Sequence, residues 1–294
     1  MKGRHVSLGA LVVLISTSTL AAPLTLPYQL THSQNMDPSL RPDGQRLVYI
    51  SVISGKEQLF TVNADGSDPV QITHDDAGHE DPAWSPDGKR IAFVRLTKDE
   101  ERIYVIDPDG SGARPISPAR TRAIHPAWSV DSAKIIYCTD DDLPRKDDAD
   151  INVVELETGR ITTLITGGVN TYPDWSPDMK HIAFRRILGE MNSEVFIADA
   201  DGRNAHNLTN NPAFDGWPAW SPDGKLIAFA SNRNARYQIF IMKPDGTDVR
   251  LVANTEGRAT APRWSPDGKT IYFTNCVSKD YGSDCEILVS RLAN

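Results

Sequence analysis

The chain has 294 residues, 39% hydrophobic and 24% charged, with 31 basic against 39 acidic side chains for a net charge of −8. That composition supports a buried core and excludes disordered and collagen-like chains. An acidic chain with no basic run also argues against a general nucleic-acid binder.

Residues 1–21 read MKGRHVSLGALVVLISTSTLA. Lys2 and Arg4 form a basic start, Val6 to Ile15 an apolar run, and Thr19-Leu20-Ala21 a small-residue cleavage site. The pattern predicts a secretory signal peptide over 1–21, with 22–294 as a single mature domain in the periplasm or secreted. The apolar run is too short to span a membrane. No cysteine stands near the cleavage site to carry a lipid. Loss of Lys2 and Arg4 takes the net charge to −10. No later stretch approaches 18 apolar residues, so no membrane span is expected after cleavage.

One unit recurs along the rest. It reads DPSLRPDGQRLVY at 37–49, DPAWSPDGKRIAF at 81–93, HPAWSVDSAKIIY at 125–137, YPDWSPDMKHIAF at 172–184, WPAWSPDGKLIAF at 217–229 and APRWSPDGKTIYF at 261–273. The leading prolines, Pro38, Pro82, Pro126, Pro173, Pro218 and Pro262, are spaced by 44, 44, 47, 45 and 44 residues. Runs such as IAFV are continuously apolar and too short for helices, so they predict strands buried on both faces. The SPDGK segments carry the residues of a tight hairpin, with Pro fixing φ and Gly supplying a left-handed residue. The D-x-D-G segments predict the next hairpin in each unit.

Four strands per unit of about 40–45 residues point to an all-β, six-bladed β-propeller of four-stranded antiparallel blades. The last unit ends after its third strand. PYQLTH at 27–32 resembles PVQITH at 69–74, the fourth strand of the first unit. The N-terminal strand is therefore expected to complete the last blade and close the ring, removing an open edge. Cys276 and Cys285 lie between two strand-like runs at a separation that suits a disulfide across antiparallel neighbours. Cys138 is the cysteine left over, and its simplest role is a small buried residue.

WSPDGKxIAF followed by IFxMxxDG resembles the TolB-type propeller repeat, a WD-like repeat of bacterial envelope proteins. The likeness covers essentially the whole mature chain. It implies a propeller-only relative without the N-terminal α/β domain of TolB. It also implies an envelope protein or lipoprotein as partner, Pal-like by resemblance alone. The same blade type occurs beside serine peptidases and in some polysaccharide lyases, so the fold does not choose a function. A peptidase is disfavoured because no G-x-S-x-G elbow occurs.

The copies supply their own reference. Trp84, Trp128, Trp175, Trp220 and Trp264 recur and are expected to pack between blades. Asp87, Asp178, Asp223 and Asp267 recur as turn formers. Asp107/Asp109 and Asp199/Asp201 resemble the start of a calcium loop but lack its remaining ligands. Functional candidates are departures from the repeat. The residue before each leading proline is Asp37, Asp81, His125, Tyr172, Trp217 and Ala261. This diversity at a channel mouth suits a partner loop or a small ligand. After the proline, where a small residue is the rule, Asp174 and Arg263 stand out as channel-lining groups. Arg185 replaces Val94, Cys138 and Ala230 and is expected to need a carboxylate or carbonyl if buried.

His32, His74, His79 and His125 fall in one class of loops and could hold a metal, but they share no short ligand motif. No metal and no cofactor is expected. The acidic loop TDDDLPRKDDAD at 139–150 reads as a solvated surface loop. The expected function is a non-catalytic protein-binding scaffold at the cell envelope, monomeric, with no catalytic residue. The alternative is a carbohydrate lyase or hydrolase with its site at the channel mouth.

Overall fold

The computed structural model describes residues 28–31, 34–140, 148–190, 192–278 and 284–292. The expected signal peptide, His32 and most of the acidic loop lie outside the described residues. Among the described residues no helix is long and apolar enough to cross a membrane.

Among the described residues every regular element is a strand, as a propeller requires. The first repeat pairs Asn35–Leu40, Arg46–Ile53, Lys56–Asn63 and Val70–Gln71 in order. Gly78–Trp84 through Arg114–Pro115, and Asp215–Trp220 through Arg250–Ala253, do the same. In the last sheet Tyr28–Gln29 pairs Cys285–Arg291, so the N-terminal strand supplies the fourth position and closes the ring.

The expectation of a six-bladed propeller of four-stranded blades is corrected. The described residues form four separate four-stranded blades; the third and fourth repeats share one eight-stranded sheet. The join is a parallel contact of Ala149 with Val169. Its physical reason is local. Gly167 and Gly168 both adopt positive φ, which swings the chain back onto the end of Ala149–Glu155. The Ala149 amide then donates to Gly168 O at 3.1 Å. The buried Asn170 carboxamide donates to Ala149 O and Gly168 O at 3.1 and 3.0 Å.

Apolar clusters form between successive repeats. One joins Val94, Ile103 and Trp128; another joins Phe184, Ile151 and Trp175. All five recurrent tryptophans are buried. Trp128 and Trp264 donate Nε1 to Ala83 O and Ala219 O of the preceding repeat, at 2.9 and 3.0 Å. These bonds fix ring orientation as well as burying area.

The first hairpin of the second to sixth units is a small polar latch. In the second repeat Ser85 Oγ accepts from Arg90 N at 2.9 Å while Asp87 Oδ1 accepts from Lys89 N at 3.1 Å. The third repeat lacks the usual Pro and Gly at Val130 and Ser132, yet the turn survives. Ser132 takes the left-handed backbone at φ 57°, and its hydroxyl accepts from Asp87 N at 3.0 Å. Asp109 and Asp201 likewise accept from the amides of Ser111 and Arg203. They are turn formers. Cys276 and Cys285 are register partners joined by a disulfide; so short a loop contributes about 2–3 kcal/mol.

Candidate functional site: the mouth of the central channel

The innermost strands share one irregularity. Asp37, Asp81, His125, Tyr172, Trp217 and Ala261 all have φ between 50° and 55°. Each lies in a register shift, such as that between Glu80 and Ala83. The X-Pro pair is therefore a β-bulge, which re-aims a side chain out of the pleat. The proline contributes no N–H, so only one donor per bulge needs a partner. At His125 that donor meets Asp81 Oδ2 at 3.2 Å, and at Asp37 it meets Thr274 Oγ1 at 2.8 Å. A left-handed non-glycine residue costs of order 1 kcal/mol. The recurrence makes the bulge architectural; the identity of the side chain is left free.

These side chains converge. Ser39, Asp81, His125, Tyr172, Asp174 and Arg263 line a cavity of about 200 Å³ on the axis. The His125 and Tyr172 rings stack at 3.5 Å, and Tyr172 meets Trp217 at 5.3 Å. Asp174 Oδ2 accepts from Trp220 N at 2.9 Å. Asp174 and Arg263 form no direct ion pair among the described residues, but the Arg263 charge reaches Asp37, Asp81, Asp174 and His125.

Burial sets the electrostatics. It raises Asp37 and Asp174 to about 6, each against the pull of Arg263. Burial, then the charges of Asp37 and Glu80, push Asp81 well above the carboxylate range. Glu80 rises to about 7 through burial and the nearby Asp37. Burial, then Arg185, Arg263 and Arg122, hold His125 far below its ordinary value, so it is neutral at pH 7.

The mouth has two halves. One is acidic, from Asp37, Glu80 and Asp81. The other is aromatic and cationic. Trp217 meets Phe214 at 5.5 Å and Tyr237 at 6.2 Å, and the Arg185 guanidinium lies 4.8 Å from the Tyr172 ring. The expectation for Arg185 is corrected: among the described residues it finds neither carboxylate nor carbonyl. Its Nε donates to Thr171 Oγ1 at 2.8 Å. Sequence reasoning missed Glu80, Phe214 and Tyr237. Glu80 was findable, because its counterparts are Met36, Ile124, Thr171, Gly216 and Thr260.

Among the described residues, His74 and His79 line one surface pocket with Asp75, and His125 lies elsewhere. His79 is buried, with Nε2 3.4 Å from Asp75 Oδ1, and His74 is exposed. His125 stands apart, Nε2 3.7 Å from Asp81 Oδ2 and Nδ1 3.1 Å from Cys138 Sγ. No three His, Cys, Asp or Glu side chains among the described residues are placed to hold a metal. Cys138 is fully buried beneath His125. His125→Ala is therefore expected to speed thiol labelling of Cys138 by a disulfide reagent at least about tenfold, since exposure limits thiol reactivity. Equal rates would show that another group covers it.

The profile of the TolB beta propeller domain matches residues 89–290. The chain belongs to that family. Among solved structures, a putative TolB from Agrobacterium tumefaciens is 22% identical, with a TM-score of 0.67 over 88% of this chain and 91% of that one. TolB from Acinetobacter baumannii is 19% identical, with a TM-score of 0.65 over 92% of this chain and 66% of that one. An oligogalacturonate lyase in complex with manganese is 15% identical, with a TM-score of 0.61 over 93% and 97%. At these identities the likeness shows the propeller fold alone. No curated protein matches the chain significantly.

Proposed function

We infer that this TolB-like propeller is an exported, non-catalytic scaffold of the bacterial envelope that binds a partner protein at its channel mouth. The observation that carries this reading is the convergence of the His125, Tyr172 and Trp217 rings into one cluster beside half-buried acids. Recurrent blade residues explain the ring. These do not recur, and aromatic groups beside desolvated charges are the usual anchors of an interface. The leader-like residues 1–21 and the family support a periplasmic setting. The partner class, an envelope protein or lipoprotein, follows from the resemblance to TolB.

The test is capture from envelope extract by tagged mature protein, alongside an Asp81/His125/Trp217 triple alanine variant. A protein kept by the wild type and lost by a folded variant supports the scaffold. Retention of the same proteins by both would remove the mouth from the interaction. The lyase alternative rests on His125 beside Asp81. It predicts turnover of acidic oligosaccharides that disappears with His125→Ala.

A further inference from the structure

Arg185 is the feature that the binding reading leaves least explained. It occupies a strand position held by Ile50, Val94, Cys138, Ala230 and Thr274 in the other repeats. Its guanidinium carbon lies 4.8, 5.3 and 5.6 Å from the rings of Tyr172, Phe214 and Trp217. Such stacking holds the planar group in place. Its terminal amino groups meet no acceptor among the described residues, and no acid forms an ion pair with it. Burial, and the like charge of Arg258 nearby, work against its proton.

A second departure makes room for it. Gly216 is the glycine of its series, where the other repeats carry Met36, Glu80, Ile124, Thr171 and Thr260. A Cβ there would stand 2.9 Å from Arg185 Cδ and 3.3 Å from the Phe214 ring. Arg258 closes the other side, 4.6 Å over Tyr237 and 5.9 Å from Trp217. Two guanidinium groups thus lie within 6 Å of one tryptophan ring. Arg185, half-buried against these rings and with no carboxylate beside it among the described residues, is a receptor for an anion.

We propose that Arg185 and Arg258, set in the Tyr172, Phe214, Trp217 and Tyr237 wall, form a carboxylate-binding site that seats one carboxylate of a peptide partner. The proposal rests on the mouth being a binding surface and adds the chemistry of what enters. The planar fork of arginine matches a carboxylate with two parallel hydrogen bonds. Aromatic walls suit an apolar side chain next to it. The opposite half of the mouth, Asp37, Glu80 and Asp81, repels a second anion and suits a lysine or a free amine. A single carboxylate flanked by a cation fits this layout; a polyanionic sugar does not. The carboxylate comes from a chain terminus or from an Asp or Glu side chain, and the test separates the two.

The experiment is titration of the full mature chain with three peptides, followed by tryptophan fluorescence and calorimetry. The peptides are acetyl-Lys-Ala-Phe with a free carboxylate, its C-terminal amide, and acetyl-Lys-Glu-Phe-amide. One or both acids should bind at least tenfold tighter than the neutral amide, and more weakly as salt rises. The better acid identifies the source. Arg185→Gln and Gly216→Val should each lose at least tenfold, Arg185→Lys should recover only part, and thermal melts should confirm folding. Equal binding of acids and amide, or unchanged binding by Arg185→Gln, overturns the carboxylate site and leaves the mouth as a binding surface. No peptide binding, with the envelope partner still retained by Arg185→Gln, does the same. Failure of the triple alanine variant to lose any partner would instead strike the scaffold reading itself. Preference for an acidic oligosaccharide over the peptides overturns the proposal in favour of a sugar.

Discussion

Replacing Arg263 with methionine is expected to cost about 2–4 kcal/mol of stability at pH 8 and under about 1 kcal/mol at pH 5. The reason is the charge, not the packing. Arg263 lowers Asp37, Asp81 and Asp174, which burial has raised. A carboxyl whose folded pKa lies above its unfolded value binds its proton better when folded. Its presence therefore costs stability as pH rises from about 4 towards the folded value. Removing the guanidinium lifts those folded values further and widens the costly window upward. At pH 5, Asp37 and Asp174, with values of about 6, are already mostly neutral, so little is lost. Urea melts at the two pH values measure the difference. An equal loss at both would mean that the side chain serves only to fill the channel.

Gly202→Ala should be the most damaging single methyl group in the ring. Gly202 has φ +82°, and a Cβ on it would lie 2.0 Å from Leu164 O and 2.7 Å from Leu164 C. Both are backbone atoms of the preceding repeat, so relief requires the two repeats to part. A cost of more than about 3 kcal/mol is expected from strain and overpacking together. Gly159→Ala is the control, because Gly159 has φ +69° with nothing within 4 Å of the added atom. It should cost only about 1 kcal/mol. Similar costs for the two would show that the hairpin of Gly202 does not register the third repeat against the fourth.

Much of the ring was legible because its signals are local. The hairpins are written in Ser-Pro-Asp-Gly, the tryptophans recur with the repeat, and the N-terminal strand repeats the sequence of a fourth strand. The joined sheet was not legible. It depends on Gly167 and Gly168 bending the chain so that Asn170 can reach Ala149, and a repeat pattern does not register a contact outside the repeat. The one trace was the spacing of 47 residues between Pro126 and Pro173.

The site divides in the same way. The residues before the leading prolines were visible as departures, and the bulge explains why they face one another. Phe214 and Tyr237 come from connecting segments with no common frame, so nothing in the repeat marks them. Arg185 was visible, but its surroundings were not. Only the structure shows rings where a counter-ion was expected, and a glycine opposite to admit it.

The central claim is that the channel mouth is a working surface kept at some expense in stability. The most direct test is the melting temperature of the Asp37→Asn/Glu80→Gln double variant against the wild type, at pH 7.5 and pH 4.5. Burial raises both groups, Asp37 to about 6 and Glu80 to about 7. The wild type therefore loses stability between about pH 4 and pH 7, and the variant, in which only Asp81 and Asp174 of the mouth acids remain raised, loses less. The variant should melt about 2–5 °C higher at pH 7.5, show no gain at pH 4.5, and bind the envelope partner less well. A variant that melts lower at pH 7.5, or that gains equally at both pH values, would contradict the account.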